Sequence, residues 1–442
     1  MKKVITYGTY DLFHYGHQRL LERAKELGDY LIVGVTTDDF DKQRGKINVK
    51  QSLMERIESV RATGLADEII VEEYEGQKID DIKRLGVDIF TVGSDWVGHF
   101  DYLKEYCDVV YLDRTEGVSS SDIRAQQRNI KLGIVGDGVV MKKFYDESKY
   151  VNGIEVTGIC INNEIEKSLY ENEELFLTMD FDELIECVDA VFIVSHPSKH
   201  YSQIKKALNN NIHVLCESPI TINENQYLEL LELSKLNNLI LMDSIKTAYS
   251  TAFNRLLLLI KQGSIGEVYS VDATCTSLRE FGEHSWNSIN SWGPTALLPI
   301  FEVLGTNYIE KDIVSLLSEN QSNFDIFTKI NFRYQNAVAS IKVGSGVKSE
   351  GELIISGTKG YAYVPAPWWK TDYFELRFEN SDENKKYFYQ LDGEGIRYEL
   401  VAFAKAIELN RNYSYIDSDI SKAICHIMED FENNNVSYIN KY

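Results

Sequence analysis

Two histidines stand three residues apart in the run Gly8-Thr9-Tyr10-Asp11-Leu12-Phe13-His14-Tyr15-Gly16-His17. Imidazoles at that spacing can both face one phosphate, as neutral or cationic hydrogen-bond donors. Residues 4–7 form an apolar run that reads as a buried strand, and residues 18–27 carry the apolar spacing of a helix. His14 and His17 therefore sit where a strand hands over to a helix N-terminus. Free backbone N–H groups and the helix dipole favour an anion at such a place. Gly16, between the histidines, lets a ligand come close to the backbone.

Three further stretches suit the same chemistry. Lys42-Gln43-Arg44-Gly45-Lys46 is a basic loop after the second predicted strand, able to neutralise a triphosphate. Gly93-Ser94-Asp95-Trp96 ends the fourth strand, at the carboxyl edge where α/β sheets bind ligands. Arg114-Thr115-Glu116-Gly117-Val118-Ser119-Ser120-Ser121 reads as a turn and a hydroxyl-rich helix start, a set of donors for a terminal phosphate.

These residues need a scaffold. Apolar runs at 4–7, 30–35, 68–71, 89–92 and 109–111 alternate with helical segments, which predicts an α/β fold with a parallel sheet. Residues 119–128 read as a polar helix. A second βαβ series follows, with strands at 130–135, 155–161, 190–194, 212–215 and 239–242 and helices at 201–209 and 224–236. From residue 266 the pattern changes. Runs at 268–276, 323–334, 337–342, 352–356, 361–364 and 374–378 predict a larger, more antiparallel sheet, with helices from about residue 395. The expected domains are 1–128, 129–250 and 251–442.

The chain has 442 residues and a formal net charge of −22, which argues against nucleic acid or an anionic membrane as partner. Its six cysteines lie far apart without a CxxC pair, as expected of a reducing cytoplasm and of a protein without structural zinc. No secretory signal is read at the start, and no apolar run reaches transmembrane length. A cytoplasmic enzyme, assembled as a homodimer or higher homo-oligomer and without a resident metal site, is expected.

The His14-Tyr15-Gly16-His17 run resembles the HxGH nucleotidyltransferases, and residues 1 to about 128 resemble glycerol-3-phosphate cytidylyltransferases. Tyr-Leu-Lys-Glu-Tyr-Cys at 102–107 and Val-Val-Tyr-Leu at 109–112 belong to the match. The resemblance implies CTP with Mg²⁺, a polyol phosphate as acceptor, and no covalent intermediate, so that catalysis is positioning and charge stabilisation. It implies that His14 and His17 stabilise the α-phosphate and that Lys46 and Arg44 hold the phosphates. Asp95 and Trp96 would line the nucleoside pocket, while Arg114 and Ser119, Ser120 and Ser121 grip the β- and γ-phosphates. Gly8, Thr9, Tyr10, Asp11 and Gly16 complete the implied nucleotide site. Residues 48–67 match the family loosely. Arg56 and Arg61 in that stretch are candidates to meet an acceptor phosphate, so the acceptor need not be glycerol 3-phosphate.

Residues 130 to about 430 resemble the Gfo/Idh/MocA oxidoreductases. The match rests on Gly-Ile-Val-Gly-Asp-Gly at 133–138, Val-Ser-His-Pro with His200, Val-Leu-Cys-Glu-Ser-Pro at 214–219 and Gly-Ser-Ile-Gly-Glu-Val at 263–268. It implies a Rossmann domain, a domain with a large open mixed sheet, and NAD or NADP, with Gly136, Gly138, Asn162, Glu217 and Ser218 at the cofactor. Each departure concerns chemistry. Met141 stands at the third glycine position, and Ser218 replaces the family's lysine. Residues 292–305 lack the family's Asp and His, and Asn162 stands where an acid would bind the adenosine ribose. Lys246 and Tyr249 are candidate substitutes as proton donors. His200 reads as structural and Trp368-Trp369 as a packing corner.

The expected function is cytidylyl transfer from CTP to a small polyol phosphate, for a cell-surface polymer such as capsule or teichoic acid, with an inert or altered oxidoreductase-like half. The alternative is a bifunctional enzyme whose second half reduces a keto-sugar phosphate with NAD(P)H.

Overall fold

The computed structural model of the chain describes residues 1–74, 76–113, 129–136, 138–162, 164–170, 173–278, 286–318 and 324–439. The chain forms two compact units, Met1–Arg128 and Asn129–Tyr442.

In the first unit, β1 (Lys3–Gly8), β2 (Tyr30–Thr36), β3 (Glu68–Glu72), β4 (Ile89–Gly93) and β5 (Asp108–Leu112) form one sheet in the order β3-β2-β1-β4-β5. All four pairings are parallel. The apolar runs are continuous because both faces are covered. Val4, Leu31, Val33 and Val35 pack with Leu21 and Ala24 of α1 (Tyr15–Glu26) and with Ile57 and Val60 of α3 (Leu53–Ala62). Ile5, Ile32, Phe90 and Val92 face Ile82 of α4 (Gln77–Leu85) on the other side. A short α2 (Asp38–Gln43) follows β2. The strand order reverses between β1 and β4, and that crevice is where an open parallel sheet binds its ligand.

In the second unit, β6 (Ile130–Gly136), β7 (Ile154–Cys160), β8 (Phe176–Thr178), β9 (Ala190–Val194), β10 (His213–Glu217) and β11 (Leu241–Ser244) form a six-stranded sheet ordered β11-β10-β9-β6-β7-β8. Its pairings are all parallel. A nine-stranded mixed sheet follows, built from β12 (Val268–Thr276), β13 (Glu310–Leu317), β14 (Asp325–Arg333), β15 (Val338–Gly344), β16 (Leu353–Gly357), β17 (Gly360–Val364), β18 (Tyr373–Phe378), β19 (Lys385–Phe388) and β20 (Ser437–Ile439). Only β12 with β15 and β13 with β20 pair in parallel among these. Helix Ser288–Leu304, apolar nearly all round, is buried and packs against β12 and β15.

The α/β fold expected from the sequence is the observed one. The strands missed in the sequence are the short or polar ones. Phe176–Thr178 and Ser437–Ile439 have three residues each, and Lys385–Phe388 is a basic edge strand paired on one side only. Glu310–Leu317 alternates exposed and half-buried positions at its start, which hides its apolar content.

Candidate active site

A cavity of about 480 Å³ opens at the carboxyl ends of β1 and β4. Gly8, Thr9, Tyr10 and Asp11 line it from the β1 side, Gly93, Asp95 and Trp96 from the β4 side, and Lys46 with Asn48 from the loop after α2. His17 reaches it from the first turn of α1.

The helix begins at Tyr15, three residues before the apolar spacing suggests, because His14 caps it. The His14 Nδ1 accepts the N–H of Gly16 at 3.1 Å, so a neutral His14 carries its proton on Nε2. The rings of His14 and His17 stack with centroids 3.8 Å apart and planes at 21°. Burial pushes the His17 imidazole down to about 3, with help from His14 and Lys46, so His17 is neutral at physiological pH. Of the two options left open by the sequence, the neutral donor is the one built for His17. Its Nδ1 is buried and lacks a hydrogen-bond partner, an atom whose desolvation typically costs about 1–3 kcal/mol until a ligand meets it.

Lys46 is held from two directions. Its N–H donates to the Asp41 carbonyl at 2.8 Å, and its Nζ donates to Thr9 Oγ1 at 2.9 Å. Thr9 in turn donates to the fully buried Asp41 carboxylate at 2.9 Å, which also accepts from Thr36 Oγ1 at 2.7 Å and from Arg44 at 3.1 Å. Arg44 thus faces Asp41 and lies over the Phe40 ring, 4.7 Å from its centroid, and does not line the cavity. Asp41 was invisible as a hub in the sequence, where Asp38-Asp39-Phe40-Asp41 looks like a solvated acidic turn.

Asp11 is 3 % exposed and accepts the N–H groups of Lys50 and Gln51 at 3.0 and 2.9 Å. It touches the cavity but clamps the β1 loop to residues 50–51. The loop itself is bent tightly, with Tyr10 at φ 54° and Leu12 at φ 47°. Gly8 makes room for the Tyr10 ring, which a Cβ would meet at 2.9 Å.

The acceptor role expected of Arg56 and Arg61 does not fit their positions. Arg56 is fully buried, because its guanidinium donates to the carbonyls of Thr9 (2.7 Å), Thr36 (2.8 Å) and Gln51 (3.2 Å) and pairs with Asp38. Arg61 lies exposed near the end of α3, paired with Glu58. Neither lines the cavity. Arg114, Ser119, Ser120 and Ser121 lie outside the described residues.

In the second unit Gly136 ends β6, where a Cβ would lie 2.4 Å from the Val194 carbonyl carbon, and Gly138 opens helix Gly138–Ser148. A strand that ends on one glycine and a helix that opens on another two residues later suit a dinucleotide pyrophosphate. Met141 is accommodated in the core, fully buried, one turn before Phe144, whose ring stacks on Phe192 at 3.8 Å. The Asn162 amide donates to the Gly136 carbonyl at 2.7 Å. Half-buried Glu217 ends β10, and burial raises its carboxyl to about 7 against the pull of Lys246. Ser218 is buried, with its hydroxyl against the Asp243 carboxyl. Tyr249 does not fit the proton-donor role given to it. It is 2 % exposed, its hydroxyl lies 3.2 Å from Ser414 Oγ, and burial drives its ionisation well above the usual range. His200 is structural, as expected, with ring nitrogens 2.9 Å from the Pro219 carbonyl and 2.6 Å from that of Ser195. Trp368 and Trp369 are the buried corner expected of them.

Comparison with known proteins adds the following. The family described as Cytidylyltransferase-like matches residues 5–126, and the family described as Oxidoreductase family, NAD-binding Rossmann fold, matches residues 130–244. The chain is 52 % identical over 130 residues to a glycerol-3-phosphate cytidylyltransferase of Bacillus spizizenii, covering 29 % of this chain and all of that one. It is 50 % identical over 129 residues to one of Staphylococcus aureus, covering 28 % of this chain and 95 % of that one. Among solved structures, a 3-ketoreductase from Actinomadura kijaniata in complex with NADP and TDP-benzene matches 71 % of this chain and all of that one, at TM-score 0.63 and 16 % identity. A UDP-N-acetylglucosamine 3-dehydrogenase from Acidithiobacillus ferrooxidans covers 68 % of this chain and 96 % of that one, at TM-score 0.57 and 16 % identity. At such identities the likeness is one of fold. No helix among the described residues is long and apolar enough to cross a membrane.

Proposed function

The chain belongs, through its first unit, to the glycerol-3-phosphate cytidylyltransferase family, and on that premise we propose that it transfers the cytidylyl group of CTP to a small polyol phosphate of the glycerol 3-phosphate type. The observation that carries this reading is the stacked His14–His17 pair, with His17 neutral, at a helix N-terminus beside Lys46. An acceptor phosphate oxygen attacks the α-phosphorus, the bond from that phosphorus to the β-bridging oxygen breaks, and pyrophosphate leaves. Imidazole N–H groups and the first-turn amides stabilise the charge on the α-phosphate, and His17, neutral at physiological pH, does so without having to lose a proton. Lys46, anchored by Thr9, supplies the cation. Mg²⁺ would enter on the triphosphate and neutralise part of its charge.

The test follows pyrophosphate release from CTP and from ATP with a panel of polyol phosphates. CTP and glycerol 3-phosphate should support turnover, ATP should not, and His17→Ala should lower the rate roughly 100- to 1,000-fold without loss of fold. Near-normal release by that variant, or equal use of the two nucleotides, would overturn the assignment.

For residues 129–250 and 251–442 we propose a two-domain, oxidoreductase-like module that keeps Gly136 and Gly138 of a dinucleotide motif but lacks lysine-dependent hydride transfer, since Ser218 supplies no ammonium. Lys246, close enough to act on the Glu217 carboxyl, supports a second reading in which a keto-sugar phosphate is reduced with NAD(P)H. A cytoplasmic homo-oligomer supplying a CDP-polyol to a surface polymer completes the proposal.

A further inference from the structure

Three lysines converge on one carboxylate in the second unit. Lys143 comes from helix Gly138–Ser148, Lys246 from the turn after β11, and Lys370 from the turn Trp368–Lys370. Glu394 pairs with Lys143, with Lys246 at 3.4 Å and with Lys370 at 2.8 Å. Against the burial that would raise it, Lys143, Lys370 and Lys246 hold its carboxyl near 2.

The charges do not balance. Three ammonium groups meet one carboxylate, an excess of two positive charges in a chain of net charge −22. The neighbouring carboxyls supply at most part of the difference. Glu217 and Glu399 are driven toward their protonated forms by burial, and Glu147 is taken up by Arg397 at 2.6 Å. Among the described residues each of the three lysines has Glu394 as its one ion-pair partner.

The backbone is bent to deliver that carboxylate. Gly393, Glu394 and Gly395 are all left-handed, at φ 60°, 54° and 94°. A Cβ on Gly395 would lie 2.6 Å from the Lys246 carbonyl oxygen. Glu394 is the non-glycine residue of the three, and its side chain is what the bend places among the ammonium groups. The cluster stands beyond the carboxyl end of β11, on the side of a parallel sheet where ligands bind.

We propose that Lys143, Lys246 and Lys370 form a binding site for a phosphoryl dianion, with Glu394 as its built-in competitor. A phosphate monoester carries about two negative charges and three terminal oxygens, one for each ammonium group. The phosphoryl group can come from a phosphorylated polyol or sugar, or from a dinucleotide. This site lies outside the cytidylyl-transfer unit and does not depend on the reading of that unit.

The experiment titrates inorganic phosphate into the full chain by calorimetry, with EDTA and saturating CTP present to occupy the first unit. Glu394→Gln should bind phosphate about tenfold more tightly than the unchanged protein, and Lys143→Met with Lys370→Met should abolish that binding. The single exposed change Lys370→Met, checked by circular dichroism, stands in if the double variant does not fold; it should weaken phosphate about tenfold. Displacement by glycerol 3-phosphate names the substrate class as the source, and displacement by NADPH the cofactor. Glycerol, lacking the phosphoryl group, should displace nothing. Equal phosphate affinity in the unchanged protein, Glu394→Gln and the lysine variants would make the cluster a structural ion network and end the proposal. If the first unit failed to bind CTP, its phosphate heat would persist equally in every protein, leaving the difference between variants readable.

Discussion

Replacing Arg56 by Met separates its structural role from the acceptor-binding role that its sequence context suggests. Its guanidinium is fully buried and donates to three carbonyls, those of Thr9, Thr36 and Gln51, while it pairs with Asp38 and lies 3.5 Å from the Asp41 carboxylate. Methionine fills much of the volume but leaves those carbonyls short of a donor and buried Asp41 short of a cation. Removing one partner of such a buried network costs about 3–5 kcal/mol. A domain of this size is stable by roughly 5–15 kcal/mol, and each kcal/mol moves its midpoint by about 3–5 °C. The first unit should therefore lose about 10–20 °C of thermal stability. The assay heats the full chain, cools it, and measures surviving CTP-dependent pyrophosphate release, alongside acceptor KM at low temperature. An unchanged inactivation midpoint with only a raised acceptor KM would refute the structural reading and return Arg56 to the acceptor.

Thr9→Val removes the hydroxyl that receives Lys46 and donates to Asp41, so the ammonium loses its anchor while the side-chain volume is kept. The KM for CTP should rise about 5- to 30-fold, as for the loss of one or two hydrogen bonds, and an unchanged KM would show that Lys46 is positioned without Thr9. In the second unit, burial raises the Asp243 carboxyl to about 6, above its ordinary 3.8. The folded state thus binds this proton more tightly than the unfolded state, so the contribution favours folding at low pH and is lost as pH rises through 6. Asp243→Asn should stabilise the unit by about 2–3 kcal/mol at pH 8, with the gain fading toward pH 4. Urea unfolding followed by tryptophan fluorescence reads mainly this unit, since four of the five tryptophans, Trp286, Trp292, Trp368 and Trp369, lie in it and only Trp96 in the first; a gain independent of pH would reject the titration.

The parallel sheets, the mixed sheet, the HxGH site and both family resemblances were legible in the chain itself. Continuous apolar runs such as residues 30–35 can be satisfied only by burial on two faces, so they announce a parallel sheet without any tertiary information. The histidine pair and the loops at 42–46 and 93–96 carry chemistry in residue type and spacing, and local backbone geometry suffices to bring His14 and His17 together. Polar edge strands such as Lys385–Phe388 were not legible, because their pairing comes from a neighbour rather than from their own apolar content.

Tertiary structure decided which charged residues are tools and which are framework. Arg44, Arg56 and Asp11 look like ligand-binding groups in one dimension. Three-dimensional packing sets Arg44 and Arg56 around the buried Asp41, and turns Asp11 onto the amides of Lys50 and Gln51. It also brings Lys143, Lys246, Lys370 and Glu394 together from across 252 positions of the chain, a convergence that no spacing rule can express. The physical reason is that a charge acts over a few ångströms of space, whereas sequence patterns report only the few residues on either side. Periodicity determines where the backbone goes, and the partner a buried charge finds there determines what it can do.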